Sequence, residues 1–252
     1  MLVIDRRNAI ANLVNEQGSV TQAELVRLFK VSTETIRKDL LALENEKLLT
    51  RTHGGAIRMG KGLMPLRERY KDHVAEKREL CTYALPMIQN GDVIALDEGS
   101  TCAELAKLIA CTFSNLTIAT HSLEIFNILR ENPGFELILL GGRFIREEMA
   151  CAGMLTLSMI EQMHFDKCFL FPSGISLKFG LTDCQEAMTQ VQRAYISRSS
   201  QVYVLAYSQR FETAESIKLD DVNPAYTYIT DAALSTEIYN SYKERNLTVI
   251  KE

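Results

Sequence analysis

Thr33, Thr35, Arg37 and Lys38 fall close together in VSTETIRKDLLALENEKLLTRTHGGA, the stretch from Val31 to Ala56. Hydroxyls and cations on one short segment suit a polyanion. An Arg fork pairs with guanine O6 and N7, and hydroxyls reach phosphates or base edges. Arg51 and His53 follow in an alternating LLTRTH run that ends on Gly54-Gly55. A second set lies further along, in LDEGST, residues 96–101. There Gly99, Ser100 and Thr101 follow an apolar run, where N–H and O–H donors can meet a phosphate or carboxylate. The plainer alternative is that Ser100 only caps a helix. Gly141-Gly142 divides the same way, between approach to an anion and a tight turn.

These side chains need elements to aim them. Asp5 is placed to cap a first helix with an apolar face of Ile10, Leu13 and Val14, and Gly18 ends it. Thr21 with Glu24 makes a capping box for a second helix, whose stripe is Leu25, Leu28 and Phe29. Lys30, Val31 and Ser32 form a turn, and Ser32 caps a third helix with Glu34 in its first turn. Ile36, Leu40 and Leu43 turn one face of that helix to a core, leaving Thr33, Arg37 and Lys38 near the other. This is the layout of a helix-turn-helix, in which the start of the later helix enters the major groove. A solvated face with two ordinary cations is the bland alternative. The ribbon weighs against it, because a two-stranded wing can lay Arg51 and His53 along phosphates.

Charge points the same way. Residues 1–80 hold 15 Lys and Arg against 11 Asp and Glu, and the remainder holds 13 against 21, within an overall net charge of −4. A basic front on an acidic body suggests that the front meets the polyanion. No apolar run approaches the roughly 20 residues that span a bilayer, and MLVIDRRNAI lacks the features of a signal peptide, so a cytoplasmic protein is expected. Cys81, Cys102, Cys111, Cys151, Cys168 and Cys184 show no C-x-x-C spacing and read as buried free thiols. His53, His73, His121 and His164 are too dispersed for a zinc site. Neither a metal nor a cofactor is expected.

Arg58 to about Asp72 is basic and glycine-containing, and reads as a linker that either adds phosphate contacts or is a solvated hinge. Beyond it, apolar strands alternate with amphipathic helices. Strands are predicted at 93–96, 116–119, 136–140, 167–171, 201–206, 228–230 and 248–250, the pattern of a mostly parallel sheet covered on both faces. Ligands of such sheets bind beyond the carboxyl ends of the strands.

The Val31–Ala56 stretch resembles the signature of the DeoR family of bacterial regulators of sugar metabolism. Shared are V-S-x-x-T-I-R-basic-D-L-x-x-L-E and L-x-R-x-H-G-G-A, with Lys47 standing where the family has glycine. The resemblance continues more loosely through D-x-G-S-T at Asp97–Thr101, L-G-G at Leu140–Gly142 and G-L-T-D at Gly180–Asp183. It implies an α/β chain. An N-terminal winged helix-turn-helix domain (1–58) leads through a linker (59–75) to a mostly parallel, ribose-5-phosphate-isomerase-like effector and oligomerisation domain (76–252). The implied DNA contacts are Thr21, Ser32, Thr33, Thr35, Arg37, Lys38, Arg51 and His53. The implied effector contacts are Asp97, Gly99, Ser100, Thr101, Ser122, Gly141 and Gly142, to which His121, Glu186 and Arg210 are added from positions in the adjoining motifs.

This chain departs from the family in three places. Thr120-His121-Ser122 stands for T-N-S, Gly174-Ile175-Ser176 for G-I-D, and Tyr207-Ser208-Gln209-Arg210-Phe211 for D-S-S-K-F. Arg210 keeps a cation that suits phosphate, while Tyr207 puts a large ring where a small acid is usual. The expected protein is a homodimeric or homotetrameric regulator, a repressor of sugar-metabolism genes, that binds double-stranded operator DNA and a sugar-derived effector. The rival is a sugar-phosphate isomerase with Glu186 as base. Ser173 and Ser176 stand where such isomerases have carboxylates, which leaves its proton-transfer set incomplete.

Overall fold

A computed structural model describes residues 3–17, 19–46, 48–52, 54–57 and 66–252, and divides the chain into two units, Met1–Met64 and Pro65–Glu252. Gly18, Lys47 and His53, on which expectations were placed, lie outside the described residues.

The first unit runs α1 (Val3–Gln17), β1 (Ser19–Thr21), α2 (Gln22–Phe29), α3 (Thr33–Asn45), β2 (Thr50–Thr52) and β3 (Gly55–Ile57). Both expected caps form. Thr21 accepts from Glu24 N while Glu24 closes the box, and Ser32 accepts from Thr35 N. Lys30 takes a left-handed conformation, φ 51°, to turn the chain between α2 and α3. The core gathers Ile10, Val14, Val20, Leu25, Ile36, Leu40, Leu43 and Leu49. Asp5 lies inside the first turn of α1 and is no cap, because the helix begins earlier. Leu28 is 58% exposed, so Leu25 is the one fully buried member of the expected α2 stripe. The wing has three strands rather than two, in the order β1-β3-β2, all antiparallel. Gly55 explains how β1 joins: a Cβ there would lie 2.0 Å from the Val20 carbonyl oxygen, so only glycine permits the pairing.

The second unit opens with α4 (Leu66–Arg69) and α5 (Val74–Ala84). Part of the stretch expected as linker is therefore structured, with Leu66 and Arg69 buried. There follow β4 (Val93–Leu96), α6 (Ser100–Thr112), β5 (Leu116–Thr120), α7 (Leu123–Leu129), β6 (Phe135–Leu139), β7 (Arg143–Ile145), β8 (Ala150–Ala152) and α8 (Met154–Glu161). The remainder is β9 (Phe165–Leu170), β10 (Gly174–Ser176), β11 (Gly180–Asp183), α9 (Glu186–Arg198), β12 (Ser199–Leu205), β13 (Ile217–Asp220), β14 (Tyr226–Ile229), α10 (Thr236–Lys243) and β15 (Thr248–Ile250).

Seven strands make one parallel sheet, β15-β14-β12-β9-β4-β5-β6. Residues alternate between its faces. Ile94, Leu96, Phe169 and Tyr203 enter the core beneath α5, α6 and α7, while Ala95, Cys168, Leu170, Val202 and Val204 enter the core beneath α8, α9 and α10. The hairpin β7-β8 and the sheet β10-β11-β13 were not anticipated from sequence. Cys111 is exposed, contrary to the expectation of burial. Between β4 and β9 the strand order reverses direction, so a crevice is expected where β4 ends, at Asp97.

Candidate functional site

Thr33, Arg37 and Lys38 are exposed on the first turns of α3, and Thr35 is half-buried. Among the described residues, Arg37 pairs with Glu34 alone, at 4.0 Å and with both side chains exposed, so the guanidinium stays available. The hydroxyls of Thr21 and Ser32 are engaged in their caps. Arg51 differs from expectation in having a partner: its N–H donates to Glu44 Oε1 at 2.9 Å, and its guanidinium lies 3.7 Å from Glu44 Oε2. Sequence reasoning missed what holds α3 in place. Asp39, 2% exposed, accepts from Arg6 Nε at 2.6 Å and from Arg7 Nε at 3.1 Å, which ties α1 to α3. The signal was an acid spaced three residues after Ile36 on the apolar face.

In the second unit, Asp97 is fully buried and bridges β4 to its neighbours. Its N–H donates to Phe169 O at 3.0 Å, and its Oδ2 accepts from Phe171 N at 3.1 Å and Gln192 Nε2 at 2.8 Å. Gln192 also reaches Asp183 Oδ2 at 3.4 Å, and Asp183 accepts from the Ser173 hydroxyl at 3.0 Å. Burial drives the carboxyls of Asp97 and Glu98 well above the usual range, and Glu98 rises further because Asp97 is beside it. His121 is pushed down to about 3 by burial, so its imidazole is neutral. Its Nδ1 pairs with Tyr195 Oη at 3.1 Å, and its Nε2 stands 3.9 Å from Asp97 Oδ1, too far for a hydrogen bond.

Among the described residues, Asp97 Oδ1, Glu98 Oε2, Ser100 Oγ, Thr101 Oγ1, His121 Nε2 and Gln192 Oε1 are buried without a hydrogen-bond partner. Buried polar groups are paired as a rule, so this concentration marks a place built to receive polar atoms. Ser100 does not cap α6. The cap is Gly99, at φ 101° and without a side-chain bond, so the helix start also presents uncapped N–H groups.

The other expected effector residues divide. Ser122 is the cap of α7, accepting from Ile125 N. Gly142 is required by packing, since a Cβ there would lie 2.1 Å from Thr156 Oγ1, whereas Gly141 has open space. Arg210 is 4% exposed, with Nε on Tyr207 Oη at 2.9 Å and Nη1 on Ser173 O at 2.6 Å, and it stacks over Phe171 and Tyr207. Tyr207 is itself buried and stacks on His73 at 4.6 Å between ring centroids, so the ring that replaces a small acid is core. Glu186 is exposed at the start of α9 and accepts from Gln190, and its contacts do not join it to the Asp97 cluster. Gln192 and Glu98 were missed. For Gln192 the signal was a polar residue on the buried stripe Met188, Val191 and Tyr195.

Among the described residues, no group of three or more His, Cys, Asp or Glu is placed to hold a metal, and no helix is long and apolar enough to cross a membrane. A family model described as "DeoR-like helix-turn-helix domain" matches residues 6–61, and one described as "DeoR C terminal sensor domain" matches residues 72–232. The HTH-type transcriptional regulator GolR of Listeria innocua is 29% identical over 99% of this chain and 98% of its own length. The lactose phosphotransferase system repressor of Staphylococcus epidermidis is 32% identical over 90% of this chain and 91% of its own. Among solved structures, ribose 5-phosphate isomerase A of Methanocaldococcus jannaschii overlaps 54% of this chain and 53% of its own, about half its length, at 14% identity and a TM-score of 0.39. With family models on both units and a relative above 30% identity along most of its length, the chain belongs to the DeoR family, whose members are DNA-binding transcriptional regulators rather than enzymes.

Proposed function

We propose that this protein is a cytoplasmic repressor of sugar-metabolism genes whose hold on operator DNA is set by a small, sugar-derived effector seated at the carboxyl end of β4. The observation that carries the effector reading is the set of six unpartnered buried atoms around Asp97, at the point where the strand order reverses. Asp97, Glu98 and Gln192 offer acceptors, while Ser100, Thr101 and the start of α6 offer donors. That mixture suits a hydroxylated ligand with an anionic group. Thr33, Arg37 and Lys38 read bases or phosphates from the start of α3, with Thr21, Ser32, Thr35 and Arg51 beside them.

A helix-turn-helix of this kind reads one half-site, so a homodimer or homotetramer placing two heads on a paired operator fits the reading. The effector changes DNA affinity only if it binds one arrangement of the protein more tightly than the other. Selection of bound fragments from genomic DNA at near-physiological salt tests the regulator. Enrichment of a few sites with paired half-sites supports it, and recovery without sequence preference refutes it. Loss of the enriched complex on adding metabolites of the neighbouring genes' pathway tests the sign of control.

A further inference from the structure

Two more buried polar atoms lack partners, and they sit on the segment that leads from the DNA-binding unit into the sensor. Arg69 is 9% exposed. Its Nη2 binds Glu148, which also accepts from Gln185 Nε2, while its Nε has no partner. The Tyr70 hydroxyl is likewise buried and unpaired. Glu148 precedes Met149, whose carbonyl accepts from Leu123 N at 2.9 Å, and Cys151 N donates to His121 O at 2.8 Å, so the Arg69–Glu148 pair stands at the same end of the sheet as His121 and Asp97. The segment is folded back rather than extended, because the buried Lys77 ammonium donates to the carbonyls of Arg69 and Asp72.

We infer that Arg69 and Tyr70 are effector contacts, forming a cover over the ligand seated at Asp97–Thr101 and donating to it from Arg69 Nε and Tyr70 Oη. This rests on the reading of Asp97–Thr101 as the effector seat. The unpaired atoms define the ligand. Arg69 Nε is a donor, the hydroxyls of Tyr70, Ser100 and Thr101 are able to donate, and Asp97 Oδ1, Glu98 Oε2 and Gln192 Oε1 are acceptors. An anion alone satisfies the donors and leaves the acceptors unpaired. A polyol phosphate satisfies both, because each hydroxyl donates and accepts. Arg69 closes α4, the first element of the second unit, so a ligand held by Arg69 fixes the start of the sensor.

Calorimetry on the full-length protein tests this with glycerol 3-phosphate, ribitol 5-phosphate and sorbitol 6-phosphate, against the parent polyols and inorganic phosphate. The tightest of these is then titrated into Tyr70→Phe, Arg69→Gln and Ser100→Ala. Tyr70→Phe should bind about tenfold more weakly, the upper end for one neutral hydrogen bond, and it keeps the ring in place should Arg69→Gln fold poorly. The same ligand should slow tryptic cleavage after Arg67 and Lys71, both exposed, in the unmodified protein. Unchanged affinity in Tyr70→Phe and Arg69→Gln, with loss in Ser100→Ala, would overturn the cover and leave the seat standing. Absence of binding by every phosphorylated polyol would overturn the seat, and the cover with it.

Discussion

Replacing Asp39 with alanine should loosen the DNA-binding unit without touching the sensor. The Asp39 side chain is 3% exposed and is shared by Arg6, at 10%, and Arg7, at 31%. Removing it leaves the Arg6 guanidinium buried without its counter-charge. Breaking a buried pair in this way costs about 3–5 kcal/mol, and the partial exposure of Arg7 argues for the lower end, about 3. A unit of roughly 60 residues has on the order of 3–9 kcal/mol in all, so the loss is a large part of it. At about 1.4 kcal/mol per decade, amide protection in α1 and α3 should fall on the order of 100-fold, while protection in β4, β9 and β12 stays as it was. Hydrogen exchange read by mass spectrometry on the full chain measures both. Protection in α1 and α3 within threefold of the unmodified protein would refute the argument. The double change Arg6→Met with Asp39→Leu should recover most of the loss, since apolar replacement of a buried pair is often neutral.

Arg37→Ala should reduce the ratio of operator to random-DNA affinity by about 1–3 kcal/mol, measured by anisotropy, and an unchanged ratio would remove Arg37 from base reading. Arg51→Ala should weaken all DNA alike and flatten the salt dependence by less than one counterion, because Glu44 already shares its charge. Gly142→Ala should cost about 1–3 kcal/mol in thermal or urea unfolding through collision with Thr156, and Gly141→Ala, in open space, should be far milder; equal losses would contradict the packing. Burial raises the Asp97 and Glu98 carboxyls, so their contribution to stability is full below about pH 4 and is lost as pH rises through their folded values. His121 acts oppositely, losing stability as pH falls from about 6.5 toward its folded value near 3, which leaves the range above pH 7 to the carboxyls. Glu98→Gln, at the higher of the two folded values, should therefore flatten the decline in sensor melting temperature between pH 7 and 8, and an undiminished decline would count against the burial argument.

The seven strands of the large sheet were legible because each carries a cluster of apolar, mostly β-branched or aromatic residues between helical or turn segments, down to the three residues of β15. The hairpin β7-β8 and the sheet β10-β11-β13 were not, because RFI, ACA, GIS, GLTD and IKLD are too short to show a period, and the Gly, Ser and Thr of β10 and β11 look like a loop besides. The capping box at Thr21 and the cap at Ser32 were readable since both depend on neighbours within three residues. Asp39 with Arg6 and Arg7 was not, because the partners lie 33 and 32 residues apart and nothing local in α1 calls for an acid. The same limit separates Asp97, read from its motif, from Gln192, which meets it across 95 residues.

The exchange of an amide for His121 gains a chemical meaning from this geometry. Among the described residues, His121 Nε2 and Asp97 Oδ1 are both buried and unpaired, and they lie 3.9 Å apart. That is too far for them to bond each other, yet one oxygen set between them is within reach of both. Such an oxygen has to donate to Asp97 Oδ1 whenever the carboxyl is ionised. To accept as well, it needs the imidazole proton on Nε2, which follows if Tyr195 donates its O–H to Nδ1. A sugar hydroxyl, able to donate and accept, meets both demands in either protonation state of Asp97, whereas a fully ionised phosphate oxygen meets only the second and faces repulsion once Asp97 is ionised. Under the proposed effector reading, the His121–Asp97 corner takes a hydroxyl, and the anionic end of the effector belongs at the uncapped start of α6, beside Ser100 and Thr101.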